Sequence, residues 1–320
     1  MVSVGYTLLC EQAGPKELVD HAVRAEAAGF DHVVVSDHYY PWLDSQGHSP
    51  YAWSVLGAVA HATDRVDLMS FVTCPIRRYH PAVVAQKAST VGLLSDGRFT
   101  LGLGAGENLN EHVVGGWPHV QQRHEMFEEA LQIIRPLLNG ETLTFSGNHF
   151  DVPDAYVWDR PDTPVPMAVA ASGPQSASLA AEYGDGVIAT EPDPQIIALY
   201  EDAGGGGRNR YGQLAICYGP DEAECRKIAH DQFRWFGLGW RVMPDLPGPG
   251  AFAAATQFVR EEDVAQGITC GPDVDRHVEA FRAFVEAGFT HVALVQVGAE
   301  RQPMFLDWAQ EQLLPRLREL

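Results

Sequence analysis

The stretch "AAGFDHVVVSDHYYPW", residues 27–42, is the part of the sequence that decides the fold. Its glycine, Gly29, ends an amphipathic pattern over residues 15–29, and an apolar run over residues 32–36 follows directly. A glycine after the last turn and a β-branched run beyond it predict a helix that leads into a buried strand. The run then ends in Asp37 and His38, with aromatic residues behind them. Polar residues at the end of a buried strand indicate that this end opens on a functional pocket.

The same arrangement recurs near the other end of the chain, in "EAGFTHVALVQVG" at residues 286–298. Two similar helix–strand units at opposite ends favour one continuous alternation of helices and strands. Apolar periodicity predicts strands at residues 2–8, 32–36, 66–73, 99–104, 166–171, 186–190, 212–218 and 291–297. It predicts helices at residues 15–28, 50–62, 80–94, 124–138, 174–183, 194–203, 221–236, 273–287 and 303–319.

Eight mostly apolar strands that alternate with helices predict an α/β protein, a (β/α)8 TIM barrel formed by residues 1–320 as a single domain. A doubly wound sheet is the alternative, and it is less favoured because no GxGxxG motif follows the first strand. Two segments interrupt the alternation as predicted insertions. Residues 142–158 predict a β-hairpin, and residues 237–262, rich in glycine, proline and aromatics, predict an irregular segment.

Composition narrows the partners of the protein. The net charge of −20 argues against nucleic acid or an anionic membrane as a partner. No run of 18 apolar residues and no basic leader are present, which predicts a cytoplasmic protein. The 5 cysteines lie far apart without a CxxC pair, so we expect reduced thiols and no metal site. The sequence contains neither the HExxH motif of zinc proteases nor the GxSxG motif of serine hydrolases. A metal-dependent barrel hydrolase remains an alternative class of protein.

Polar residues follow several predicted strands, and in a barrel these strand ends meet at one face. The polar residues are Glu11, Asp37, His38, Glu107, Asn110, Ser172 and Thr190, and Trp42, Gly106 and Gly173 stand among them. Each has an ordinary structural explanation: Asp37 as a helix cap, Glu107 as a solvated loop residue, and "AASGPQS" (170–176) as a simple turn. Their common location favours a shared pocket, and a glycine loop entering a helix can hold a phosphate. The set suits proton transfer beside a bound organic cofactor.

These residues resemble the bacterial luciferase-like superfamily of barrels. The chain is most similar to the branch that uses coenzyme F420, and within it to the F420-dependent glucose-6-phosphate dehydrogenases and their relatives. The resemblance covers nearly the whole chain, and its specific part is the joint pattern SDHxxPW at residues 36–42 and GxGxGExLNE at residues 102–111. It implies an F420-dependent oxidoreductase that transfers a hydride to or from a small alcohol, sugar or aldehyde, and it implies a homodimer.

The resemblance also implies roles for individual residues. His38 and Glu107 would handle protons, and Trp42 would stabilise a charged intermediate. Cofactor contacts are implied at Asp37, Phe71, Val72, Cys74, Ala105, Gly106 and Asn110, with the cofactor phosphate at Ser172, Gly173, Gln175 and Ser176. Thr190 would face the substrate, and the Phe71–Val72 peptide would be cis.

The sequence departs from the sugar-phosphate dehydrogenases where those enzymes bind the substrate phosphate. A lysine of that site is replaced by Asp193, and the insertion at residues 237–262 contains no lysine. An acidic residue repels a phosphate, so glucose 6-phosphate is a poor candidate unless Arg234, Arg241 or Arg260 forms another cradle. Two alternatives of the same fold remain, an FMN-dependent luciferase-like monooxygenase and a non-catalytic F420-binding protein.

Overall fold

The computed structural model describes residues 2–320 of the chain. Its strands, in chain order, are β1 (Ser3–Leu8), β2 (His32–Val35), β3 (Asp67–Ser70), β4 (Phe99–Leu103), β5 (Leu143–Ser146), β6 (Asp151–Ala155), β7 (Met167–Ala170), β8 (Gly186–Ile188), β9 (Asn209–Cys217), β10 (Thr269–Cys270) and β11 (His291–Gln296). The helices are α1 (Pro15–Ala28), α2 (Ala52–Ala62), α3 (Pro81–Leu94), α4 (Asn108–Glu111), α5 (Val120–Leu138), α6 (Pro174–Tyr183), α7 (Pro194–Tyr200), α8 (Glu222–Phe233), α9 (Gly248–Ala255), α10 (Glu261–Gly267), α11 (Val274–Glu286), α12 (Gln302–Trp308) and α13 (Leu314–Leu317).

Eight of the strands form a closed parallel ring in the order β1-β2-β3-β4-β7-β8-β9-β11. β1 closes the ring by pairing with β11, where Ser3 is opposite His291, and with β2, where Gly5 is opposite His32. The predicted (β/α)8 barrel is therefore confirmed, and the doubly wound alternative is wrong. The strand β10 extends the sheet by two residues beside the end of β9.

The ring forms because most residues of its strands are apolar or buried and helices cover the strands from outside. All residues of β2 are buried, and so is the helix face that packs on it, with Leu18, Ala22 and Ala25 of α1 at 1% exposure or less. Gly29 ends α1 with a φ of 101°, a left-handed conformation that glycine adopts without steric cost. Among residues 2–320, no helix is long and apolar enough to cross a bilayer.

Several bounds differ from the sequence-based description. The helix predicted at residues 124–138 begins at Val120, and the helix predicted at residues 303–319 is divided into α12 and α13. β9 begins at Asn209 and not at residue 212, because Asn209, Arg210 and Tyr211 pair with β8. The segment 237–262, expected to be irregular, contains α9 and the start of α10, with 3-10 turns before them. Apolar residues of this segment pack on the barrel rim, and this packing stabilises short helices that the glycine and proline content conceals. Residues 142–158 contain the antiparallel pair β5 and β6.

A glycine in β4 sets how closely two barrel strands can approach. A Cβ atom on Gly102 would lie 1.9 Å from the carbonyl oxygen of Ser70 on β3, which is backbone that cannot turn aside. We therefore expect Gly102→Ala to lower the free energy of unfolding by about 2 kcal/mol or more, as overpacking does. Gly206→Ala is the control, since its φ is −56° and nothing lies within 4 Å of the added carbon. Equal denaturation midpoints for both variants would contradict this expectation.

Candidate active site

The carboxyl ends of β1, β2 and β4 bring three titratable side chains together. Nδ1 of His38 lies 2.7 Å from Oε1 of Glu11, and Nε2 of His38 lies 3.7 Å from Oε2 of Glu107. The other oxygen of Glu11 accepts a 2.7 Å hydrogen bond from Ser36 Oγ. Glu11 is completely buried, so the barrel wall holds its carboxylate in place. The imidazole of His38 is thus fixed by one carboxylate and faces a second one.

These contacts decide the protonation of the pair. Burial by itself disfavours the His38 imidazolium, but the charge and hydrogen bond of Glu11 and the charge of Glu107 outweigh it and raise the pKa to about 9. Burial would raise the pKa of Glu11, yet the contacts with His38 and Ser36 lower it. Burial raises the pKa of Glu107, and the charge of His38 only partly offsets it. His38 therefore carries a proton at neutral pH beside a carboxyl group that holds its own proton more readily than usual.

Asn110 joins the end of β2 to the loop after β4. Its Oδ1 accepts a 2.9 Å hydrogen bond from the backbone N–H of Tyr39, and its Nδ2 donates to Oε2 of Glu107 at 3.0 Å. Asn110 is almost fully buried. The amide therefore sets the position of Glu107 relative to the residue that follows His38.

Asp37, predicted to contact the cofactor, lies in a buried network of protein groups. Its carboxylate accepts hydrogen bonds from Thr73 Oγ1 at 2.8 Å and from the Tyr79 hydroxyl at 3.1 Å. The guanidinium of Arg78 donates to the Asp37 carbonyl oxygen at 2.9 Å and, through Nε, to Glu111 Oε1 at 2.8 Å. The network ties the ends of β2 and β3 to the helix α4.

Trp42 forms one wall of the pocket. Its ring meets His38 edge-on at 5.0 Å and stacks on Trp235 at 4.3 Å with an interplanar angle of 12°. Phe252 of α9 meets the same ring edge-on at 5.0 Å, and Met243 packs in the same apolar cluster. Trp42 is only 6% exposed as a result. We call residues 234–255 the lid, because this segment covers Trp42 from the solvent side.

Polar contacts attach the lid to the loop that carries Glu107. Asn108, the next residue after Glu107, donates to the carbonyl oxygen of Asp245 at 3.0 Å. The carboxylate of Asp245 accepts from Trp117 Nε1 at 2.9 Å and from Arg123 at 3.1 Å. The lid and the proton-handling residues are therefore parts of one connected surface.

The remaining predicted residues line the same rim. The Phe71–Val72 peptide is cis, as predicted. Ser176 Oγ accepts from the backbone N–H of Ser172 at 3.0 Å and of Gly173 at 3.3 Å, and a Cβ on Gly173 would meet nothing within 4 Å. This loop has room for an anionic group at the start of α6, while the amides of Ser172 and Gly173 already donate to Ser176 Oγ. The other predicted positions fall into buried residues (Cys74), partly exposed ones (Val72, Ala105, Gly106) and exposed ones (Gln175, Thr190).

Sequence reasoning missed two residues of the site and gave Glu11 no role beyond its place at the rim. Arg78 stands in "RRYHP" next to a second arginine, so nothing marks it as the buried one of the two. Trp235 lies far along the chain from Trp42, on whose ring it stacks, so no local pattern connects the two residues. The single acidic residue at the end of β1, Glu11, directly follows the apolar stretch at residues 8–10, and this is the signal that could have pointed to a partner for His38.

The arrangement can exchange a proton with a substrate oxygen while keeping water out. A hydroxyl or carbonyl oxygen that lies beside this pair can contact both His38 Nε2 and Glu107 Oε2, and so meets two groups that act as acid or base. The rings of Trp42, Trp235 and Phe252 exclude water from that place. No group of three metal-ligating side chains occurs in the part of the chain that the structure describes, residues 2–320. Apolar rings, a proton-handling pair and a roomy loop at the start of a helix fit a planar organic cofactor that carries a phosphate.

Fold and site together define a (β/α)8-barrel protein with a proton-handling site for cofactor chemistry at the carboxyl ends of its strands. The sequence model of the family described as luciferase-like monooxygenase matches residues 3–291, so the chain belongs to that family. It is 38% identical to the F420-dependent glucose-6-phosphate dehydrogenase of Beutenbergia cavernae, over 99% of this chain and 98% of the relative.

Solved structures give the same answer for the fold. An F420-dependent secondary alcohol dehydrogenase in complex with an F420–acetone adduct is similar with a TM-score of 0.90 and 29% identity, over 99% of both chains. The coenzyme F420-dependent tetrahydromethanopterin reductase from Methanopyrus kandleri has a TM-score of 0.77 at 20% identity, over 99% of both chains, and shows the shared fold alone.

Proposed function

We propose that the protein is an F420-dependent oxidoreductase that interconverts a small apolar alcohol and its carbonyl compound. The observation that carries this proposal is the pairing of His38 with Glu11 and Glu107 beneath an apolar wall. F420 supplies a hydride-carrying deazaflavin ring when it is bound. Relatives that use F420 support the cofactor, and the oxygen of an alcohol or carbonyl compound fits the proton-handling role of His38.

The residues around the pocket favour an apolar substrate over a sugar phosphate. The lid packs Trp235, Phe252 and Met243 against Trp42, and none of these residues can bind a phosphate. The arginines considered as a cradle are engaged elsewhere or exposed: Arg260 pairs with Asp263 through two nitrogens and Arg234 donates to the Asp231 carbonyl oxygen. Arg241 is exposed on the lid. Asp193 caps α7, so its negative charge stays near the end of β8.

The roles proposed for individual residues are those that the family resemblance implies. His38 exchanges the proton of the substrate oxygen, Glu107 is the second acid or base, and Trp42 shields the charge that develops between them. The loop of Ser172, Gly173, Gln175 and Ser176 holds the cofactor phosphate, and Thr190 contacts the substrate from the end of β8. The ring of the cofactor would contact the residues at Phe71, Val72, Cys74, Ala105 and Gly106.

A binding titration tests the cofactor. We expect F420 to quench the tryptophan fluorescence of the protein in a saturable way and FMN to leave it unchanged, because Trp42 lies at the site. Trp42→Phe is the matched control, and it should lose part of the quenching while the protein still binds F420. Saturable binding of FMN alone would overturn the proposal in favour of a monooxygenase.

A substrate comparison tests the second half of the proposal. With F420 in excess, we expect kcat/KM for an apolar secondary alcohol to exceed that for glucose 6-phosphate by about 100-fold or more. The reason is that the substrate phosphate would lie beside apolar side chains without a cationic partner. A preference for glucose 6-phosphate would contradict the assignment. Tight F420 binding without turnover of any alcohol, sugar or aldehyde would indicate a non-catalytic binding protein.

We also propose that the protein works in the cytoplasm as a homodimer, as its family resemblance implies. All 5 cysteines are free and buried, which is usual in a reducing compartment. Two large aromatic side chains, Trp158 at 84% and Phe258 at 86% exposure, are available for contact with a second copy. Light scattering at micromolar concentration tests this, and a monomeric mass would overturn the dimer.

A further inference from the structure

Arg78 occupies an unusual position, because it belongs to the loop after β3 while its bonds go to residues beside both His38 and Glu107. Its side chain is 7% exposed, and the carboxylates of Asp37 and Glu111 are at 1% and 0%. Asp37 directly precedes His38, and Glu111 ends the helix α4, which begins one residue after Glu107. Because the Arg78 cation and both carboxylates are buried, Arg78 interacts with the protein interior and not with the solvent.

The bonds of Arg78 act on the backbone that carries the reacting groups. Its Nη2 donates to the Asp37 carbonyl oxygen at 2.9 Å. This oxygen belongs to the peptide group that joins Asp37 to His38. Its backbone N–H and its Nε both donate to Glu111, each at 2.8 Å. One guanidinium therefore spans the gap between the end of β2 and α4, and its planar shape allows little variation in that gap.

We propose that Arg78 is a positioning residue for the reaction, which holds the strand end of His38 against the helix that follows Glu107. The inference rests on the proposed function of His38 and Glu107, and it adds that their separation depends on a residue that contacts neither a substrate nor a cofactor. A displacement of about 1 Å between reacting groups is enough to cost about 100-fold in rate.

The charges around the pair make the inference measurable without turnover. Glu11, Glu107 and Arg78 are the charged groups that act on His38, and Arg78 is the one that opposes protonation. Asp37, Glu111 and Tyr79 are the groups that act on Arg78 itself. Removal of Arg78 should therefore raise the pKa of His38.

The experiment compares Arg78→Lys and the double variant Arg78→Met/Glu111→Gln, which removes one buried charge of each sign, with the wild type. The imidazole signals of His38 in the cofactor-free protein are followed by NMR against pH, with His38→Ala to assign them. We expect an upward shift of the His38 titration in the double variant and none in Arg78→Lys, which keeps the positive charge. We expect kcat to fall about 10-fold or more in the double variant, with an intermediate value for Arg78→Lys.

Arg98 is the matched control for a loss of stability alone. It is a partly buried arginine that donates to four oxygen atoms around the end of α2, of Ala60, Thr63 and Val66, far from the rim of His38. Arg98→Met should lower the melting temperature and leave the His38 titration in place. If the Arg78 variants behave like Arg98→Met, with an unmoved titration and unchanged kcat, the inference is overturned. An inactive wild type would instead overturn the proposed function.

Discussion

His38→Ala is expected to lower kcat by about 100- to 10,000-fold, the range that a positioned acid or base contributes. The residue faces both Glu11 and Glu107, and among residues 2–320 no other histidine forms an ion pair with either carboxylate. F420 binding should remain, because His38 contacts Glu11 and makes no contact with the loop of residues 172–176 that is proposed to hold the cofactor phosphate. Turnover is measured by the absorbance of oxidised F420, and binding by tryptophan fluorescence.

Controls separate the chemistry of His38 from a general loss of histidine. His61→Ala, on the exposed face of α2, should leave kcat unchanged. Glu107→Gln should also lower kcat, by about 100-fold, because an amide cannot exchange the proton. Full activity in both His38→Ala and Glu107→Gln would remove both residues from the mechanism.

The protonation of His38 also predicts opposite pH dependences for the two directions of the reaction. With a pKa of about 9 in the free protein, the imidazole is charged at neutral pH. Alcohol oxidation needs the neutral imidazole as a base, so kcat/KM should rise as the pH rises towards 9. Carbonyl reduction needs the charged form as an acid, so kcat/KM should fall over the same interval.

Glu11→Gln is expected to produce the second large effect, on the pH dependence of stability. The pKa of His38 is raised from an ordinary 6.5 to about 9, so its contribution to folding is complete below pH 6.5 and is lost as the pH rises through 9. The pKa of Glu11 is lowered from 4.5, so its contribution is complete above that value and is lost as the pH falls further. The pair therefore stabilises the fold most between pH 4.5 and 6.5.

The size of this effect follows from the shift of His38. A rise from 6.5 to about 9 corresponds to roughly 3 kcal/mol of stability, as an order of magnitude for a side chain only 11% exposed. Glutamine keeps the shape of Glu11 and its contact with Ser36 but removes the charge. Denaturant melts at pH 5.5 and pH 9.5 should differ less in Glu11→Gln than in the wild type. Parallel pH profiles in the two proteins would show that the Glu11–His38 pair does not carry this stability.

The sequence predicted the barrel because the pattern that specifies it is local. The helices and strands of the ring are predicted by local signals: the periodicity of apolar residues, a glycine such as Gly29 after a helix, or an apolar run such as residues 32–36. The positions of His38, Glu107 and Ser172 at one face then follow from topology, since parallel strands of a barrel end at the same rim. The sequence predicts the start of β9 three residues too late, because Asn209 and Arg210 follow a glycine-rich stretch that is typical of a loop. These residues are part of the strand because they pair with β8.

The sequence by itself determined the class of fold, the rim that carries the chemistry, and the absence of a lysine from the lid. Only the tertiary structure decided that Glu11 pairs with His38, that Arg78 spans the ends of β2 and α4, and that Trp235 stacks on Trp42. The physical reason is the difference between the two kinds of information. Periodicity records which face of an element is buried, whereas a charge pair, a buried cation and a stacked ring each depend on which distant element packs against that face.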